Sequence, residues 1–240
     1  MYMEKRGISH IEVILAFLLF IGGVATAVYI FDPVSDSKLS LNMNKYTSSA
    51  LEEEMGTIID IYGIVYDKIG GENSFQVELG RNLDNLGVVV RNSKGEIISY
   101  KIIDATNGKI AVAKGNGAGN KEIVYAYVGE DISSNEESLS EPTGTAEIVS
   151  FRSLKILSQK KADSLKRQYE TLEGYSTIKE SLGLPKNMNF DFKIIFNDGQ
   201  NNIIAEGKPG ETNIFVDKKR KEILRIDNKI EYADFEVRTW

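Results

Sequence analysis

Glu12 is the residue whose setting is most unusual. It stands immediately before a stretch that carries no charge, the nineteen residues from Val13 to Phe31. A carboxylate at the centre of a membrane helix costs roughly 2.5–3.5 kcal/mol, and less near an end where it reaches the headgroups. The positive N-terminus of a helix favours a negative charge there without any partner. Catalytic chemistry, by contrast, lacks its parts. The single histidine, His10, lies at the start of the same apolar stretch, and there is no cysteine. The rest of the chain therefore has no Ser–His or Cys–His pair, no zinc site with His or Cys ligands and no redox dithiol.

Other candidates weaken on inspection. Gly115-Asn-Gly-Ala-Gly119 is glycine-rich, but no Gly-Lys-Ser/Thr closes a phosphate loop. Asn197-Asp-Gly-Gln-Asn-Asn202 is loosely similar to a calcium loop, yet its acidic spacing and missing terminal Glu are wrong. Glu136 and Glu137 sit in a polar stretch with no apolar pocket to perturb them. Lys218-Lys-Arg-Lys221 is the densest basic run. Beside a strand it reads as a solvated turn or a charged edge, and without interleaved aromatics it gives no nucleic-acid signature. The expectation is a protein that is not an enzyme, with no cofactor, no metal and no nucleic-acid partner.

The element that positions Glu12 is the apolar run. As a helix, nineteen residues extend about 28 Å, close to the about 30 Å of a bilayer core, so the run reads as a transmembrane helix. It is too long for a cleaved secretory signal and lacks an Ala-x-Ala site. Lys5 and Arg6 precede it and Asp32 and Asp36 follow. The positive-inside bias then leaves the N-terminus cytoplasmic and the bulk of a single-pass membrane protein extracellular. Gly22, Gly23 and Ala27 lie within the run, and Gly23 with Ala27 forms a small-xxx-small pair that lets helices approach closely.

The basic pair, then Gly7, Ile8 and Ser9, a carboxylate four residues beyond Ile8 and an unbroken apolar helix together resemble the class III signal peptide of type IV pilins. The wording GISHIEVIL…FIGG is closer to archaeal pilin-like proteins, since bacterial ones usually carry Phe where Ile8 stands. The resemblance implies cutting by prepilin peptidase between Gly7 and Ile8. It also implies retention of the apolar helix, and pairing of Glu12 with the N-terminal amine of a neighbouring subunit. Loss of the leader takes Glu4, Lys5 and Arg6 with it and moves the net charge from −6 to −7, a mildly acidic balance that favours solubility.

Beyond residue 31, apolar positions Leu39, Met43, Tyr46 and Ala50 recur at helical steps, which predicts an amphipathic connector helix within 32–54. Val, Ile and Tyr then dominate Met55–Asp67, a strand with both faces largely covered. Shorter strands are expected at Phe75–Leu79, Gly87–Arg91, Glu96–Ile103, Lys109–Ala113 and Glu122–Val128, with Thr106-Asn-Gly108 as a hairpin turn. Residues 131–145 are rich in Ser and Glu and read as a linker or exposed loop. It would divide a β-rich lobe at 55–130 from a second lobe at 146–240.

The second lobe opens with a strand at Ala146–Ile156. Ser158 can cap a helix carrying Ala162, Leu165, Tyr169 and Leu172, which Gly174 ends. Thr177-Ile-Lys-Glu180 fits a capping box for a second short helix ending at Gly183, giving helices near 158–183. Strands resume at Phe190–Phe196, Ile203–Glu206, Thr212–Asp217, Glu222–Asp227 and Ile230–Trp240. The expected fold class is α+β: a leader at 1–7, a transmembrane and assembly helix at 8–31, and a mostly antiparallel β exterior.

The function expected from the resemblance is that of a structural subunit of a type IV pilus-like surface filament engaged in adhesion. Its partners would be prepilin peptidase, the membrane, and copies of itself or other pilins. Two alternatives share the N-terminus: a minor pilin or pseudopilin of a secretion or uptake system, and an uncleaved, signal-anchored extracellular binding protein.

Overall fold

The structure, a computed structural model, describes residues 10–30, 33–67, 73–115, 121–142, 144–209 and 213–240. Two helices come first, α1 (His10–Ile30) and α2 (Pro33–Glu54). Seven strands follow: β1 (Gly56–Asp67), β2 (Ser74–Glu78), β3 (Gly87–Asn92), β4 (Ile97–Ile98), β5 (Tyr100–Asp104), β6 (Lys109–Ala113) and β7 (Lys121–Gly129). A long strand, β8 (Gly144–Ser158), leads into α3 (Gln159–Tyr169) and α4 (Leu172–Ser181). The chain closes with β9 (Phe190–Phe196), β10 (Ile203–Ala205), β11 (Phe215–Leu224) and β12 (Ile230–Thr239).

Strand outweighs helix among the described residues, so the sheet carries the fold. Its main path runs β10-β9-β12-β11-β8-β1-β7-β3-β4, with β2, β6 and β5 paired off to one side. β1 and β8 are the spine, antiparallel from Gly56–Leu157 to Tyr66–Ala146 with one irregularity at Gly63/Ile64. One core fills the space between α2, α3, α4 and the C-terminal strands around Phe190, Phe192, Phe235 and Leu165. Another packs Tyr66, Phe75, Tyr100 and Ile110 between β1–β3 and β5–β7. A smaller cluster of Ile59, Val89, Ile132, Ile156 and Leu224 links strands of both halves.

Polar pins hold the edges. Residues 133–137 are tied down rather than loose. Ser134 Oγ accepts the Val88 N–H at 3.0 Å and Glu137 N–H donates to the Tyr100 carbonyl at 2.9 Å. Arg238 makes a two-pronged pair with the fully buried Asp191, and this contact raises the arginine pKa above its usual value. Such forked pairing fixes geometry as well as charge. Tyr66 O–H donates to Glu122 Oε2 at 2.7 Å, and burial pushes its pKa up to about 12.

Several elements differ from the sequence expectation. The expected α+β chain led by a transmembrane helix is corrected: the structure is strand-rich, and among the described residues no helix is long and apolar enough to cross a membrane. The single-pass localisation, with a cytoplasmic N-terminus and an extracellular bulk, falls with that span.

Of the expected stripe on α2, Met43 and Ala50 are partly buried against the core, but the buried face is centred elsewhere. Asn44, Thr47, Ser48 and Leu51 are buried while Tyr46 is half exposed. The cause is the charged surface opposite: Lys219 reaches Ser48 and Glu52, and Lys221 reaches Glu52 at 2.7 Å. Where two strands with a basic turn were expected, β11 is one unbroken strand. Its lysines alternate sides, Lys219 and Lys221 toward α2 and Lys218 toward Asp234 at 3.0 Å.

Finally, α4 begins at Leu172, with Thr171 as its cap accepting from Gly174 N–H. Gly174 therefore lies inside the helix. A Cβ there would stand 2.2 Å from the Gln168 carbonyl oxygen and 2.6 Å from Thr171 Oγ1, so close approach is what requires glycine.

Two outcomes follow. Gly174→Ala should lower unfolding stability by about 1–3 kcal/mol, as overpacking does, and a denaturant midpoint equal to wild type would contradict this. Tyr66 has a raised folded pKa, so its contribution is full below pH 10 and is lost as pH rises toward 12. Tyr66→Phe should therefore flatten that part of the alkaline stability profile.

Candidate functional site

A helix that is apolar on every side is ordinarily a buried one. Among the described residues nothing buries α1: every side chain described on it, from Glu12 to Ala27, is exposed. Nine large hydrophobic residues are among them, from Val13 at 56% through Leu19 at 71% and Phe20 at 67% to Val24 at 46%. They point in all directions around the axis rather than along one stripe. The sequence makes the helix for simple reasons: straight-chain and branched apolar residues run without proline, and Glu12 sits in the first turn where the helix dipole favours it.

The small residues open one part of this surface. A Cβ placed on Gly22 or Gly23 would meet nothing within 4 Å, so packing inside the chain does not call for glycine there. Thr26 Oγ1 donates to the Gly22 carbonyl at 2.7 Å, which satisfies the hydroxyl locally. Gly23 and Ala27 are one turn apart on the same face, leaving a shallow site for another helix backbone.

The other sequence candidates fall elsewhere. Lys5, Arg6, Gly7 and Ile8, the leader charges and the cleavage site, lie outside the described residues. So does most of the glycine-rich loop beyond Gly115. Asp198 is held by Arg225 at 3.2 Å and accepts the Gln200 N–H at 2.9 Å, and these bonds keep its pKa below the usual carboxylate range. That loop is a turn with Gly199 and Asn201 at positive φ. The basic run is neutralised within the chain by Glu52, Asp217 and Asp234, and Arg220 lies over the Tyr232 ring. Among the described residues no cluster of three or more His, Cys, Asp or Glu is arranged to hold a metal ion.

No protein-family model, curated protein or solved structure matches the chain. Among the described residues, α1 is an apolar helix exposed on every side that precedes a β-rich body.

If α1 packs on nothing in its own chain, Gly23→Leu should leave the unfolding of the β-rich body within about 0.5 kcal/mol of wild type, as surface changes do. A larger destabilisation, read from the denaturant midpoint, would show that α1 is seated on that body.

Proposed function

We propose that this chain is the structural subunit of a type IV pilus-like filament, trimmed by prepilin peptidase between Gly7 and Ile8 and assembled through α1. The observation that carries the proposal is the all-round exposure of an apolar helix.

Magnitudes favour many neighbours over one. Covering the nine large side chains is worth on the order of 10 kcal/mol per helix, while association costs about 4–15 kcal/mol. A single partner would cover one side of α1 and leave much of that gain unused. A helix surrounded by copies of itself uses nearly all of it. Helices bundled in this way place the β-rich bodies on the outside, joined to the bundle through α2. Gly22, Gly23 and Ala27 let backbones approach closely within the bundle, and Glu12 meets the amine that trimming creates on Ile8 of a neighbour. The resemblance of residues 5–12 to a class III signal peptide supports the same reading.

Mass spectrometry of the chain from cells with active prepilin peptidase should find Ile8 as the first residue. Glu12→Ala should reduce the yield of sheared filaments at least about tenfold, as loss of a desolvated charge pair does, while leaving the β-rich body folded. An intact Met1 together with undiminished filaments in the mutant would overturn the proposal.

A further inference from the structure

The middle of β8 has an unoccupied edge. On one side it pairs with β1 from Ala146 to Leu157. Its other strand contacts are short parallel ones, with β2 at Gly144 and Thr145 and with β11 at Leu157 and Ser158. From Ala146 to Ile156, therefore, β1 is the only strand among the described residues that pairs with it. β11 diverges above that junction, and a cleft of about 580 Å³ opens between the two, with Lys155 and Arg220 in its walls. Residues 147–153 are exposed on both faces, among them Ile148 at 38%, Val149 at 56% and Phe151 at 59%. A row of free backbone groups beside exposed apolar side chains is a template for strand addition.

The register shows which strand fits. Glu147 lies opposite Val65 of β1 and Arg152 opposite Ile61, while Ile148 faces Ile64 and Phe151 faces Tyr62. The shift at Gly63/Ile64 leaves Val149 as an extra residue, a bulge. It brings Glu147 and Arg152 onto one face despite their odd separation, and Ile148 and Phe151 onto the other. A second β8 laid antiparallel along this edge then sets Glu147 against Arg152 twice and Ile148 against Phe151 twice. Opposite charges and aromatic–branched pairs are the favourable cross-strand combinations. Among the described residues, neither Glu147 nor Arg152 has an ion-pair partner in its own chain.

We infer that the open edge of β8 is a docking surface for the same edge of a second copy of this chain, paired antiparallel about Val149 and Ser150. Subunits in one filament all point the same way, so this contact joins chains of two filaments or two free chains. It does not depend on α1, and its failure would leave the filament proposal standing.

The test uses the full chain in a mild detergent that covers α1, with dimerisation followed by sedimentation equilibrium. Wild type should form a dimer. Glu147→Arg and Arg152→Glu, both at exposed positions, should each weaken it about tenfold or more, because like charges then face each other. The double variant, with the charges exchanged, should recover the wild-type constant to within about threefold. Circular dichroism confirms that all three remain folded. A monomeric wild type, single variants that dimerise normally, or a double variant as weak as the singles would each overturn the inference.

Discussion

Pairing of β1 with β8 is the interaction on which the β-rich body depends. β1 carries Tyr62, Ile64 and Tyr66 into one core, and its other face adds Ile59 to the cluster linking both halves. β8 ends in Leu157, which enters the core beneath the helices, and in Ser158, which caps α3 by accepting the Lys161 N–H. Remove the pairing and the two halves lose their common wall. Gly63 gives Ser150 room: a Cβ there would sit 2.2 Å from Ser150 Oγ and force that hydroxyl to turn away. The same irregularity sets the directions of the side chains along the open edge, so one local feature governs both internal packing and external recognition.

The N-terminal helices obey a different constraint. α2 is seated on the body through a polar seam, with Glu52 shared by Lys219 and Lys221 and, among the described residues, no hydrogen-bond partner for either polar side-chain atom of the buried Asn44. A buried amide in that state costs about 1–3 kcal/mol, so α2 is held by charge pairs and by Leu51 and Met55 at its C-terminal end. Among the described residues no such seam is seen on α1, whose described apolar side chains are exposed around the whole axis. In the filament proposed above, that uniform surface would be covered by neighbours on all sides.

Much of the strand pattern could be read from residue types. Val, Ile and Tyr mark β1 and β7, Phe and Ile mark β9, Asn107-Gly108 marks the turn between β5 and β6, and Ser158 announces α3. The remainder depended on partners distant in sequence. The stripe Leu39, Met43, Tyr46, Ala50 found only part of the buried face of α2: Met43 and Ala50 pack against the core, but Tyr46 is exposed, and lysines of β11, more than 160 positions away, attract the polar side. Lys218–Lys221 passes for a turn until Glu52 and Asp234 are seen on opposite faces. Gly174 reads as a breaker because its crowding by Gln168 is invisible in one dimension. Length and apolar composition suggested a membrane span, but among the described residues no helix is long and apolar enough to make one. At the candidate site, the apolar composition of α1 was evident, but the exposure of Phe151 and Val149 was not, since a strand's missing neighbour leaves no mark on its own sequence.

Electron cryomicroscopy of assembled material tests the central claim most directly. The account predicts a core of closely packed helices contributed by α1, with the β-rich bodies arrayed around it and connected through α2. Assemblies in which α1 lies at the periphery, or in which strand edges alone join the subunits, would contradict it.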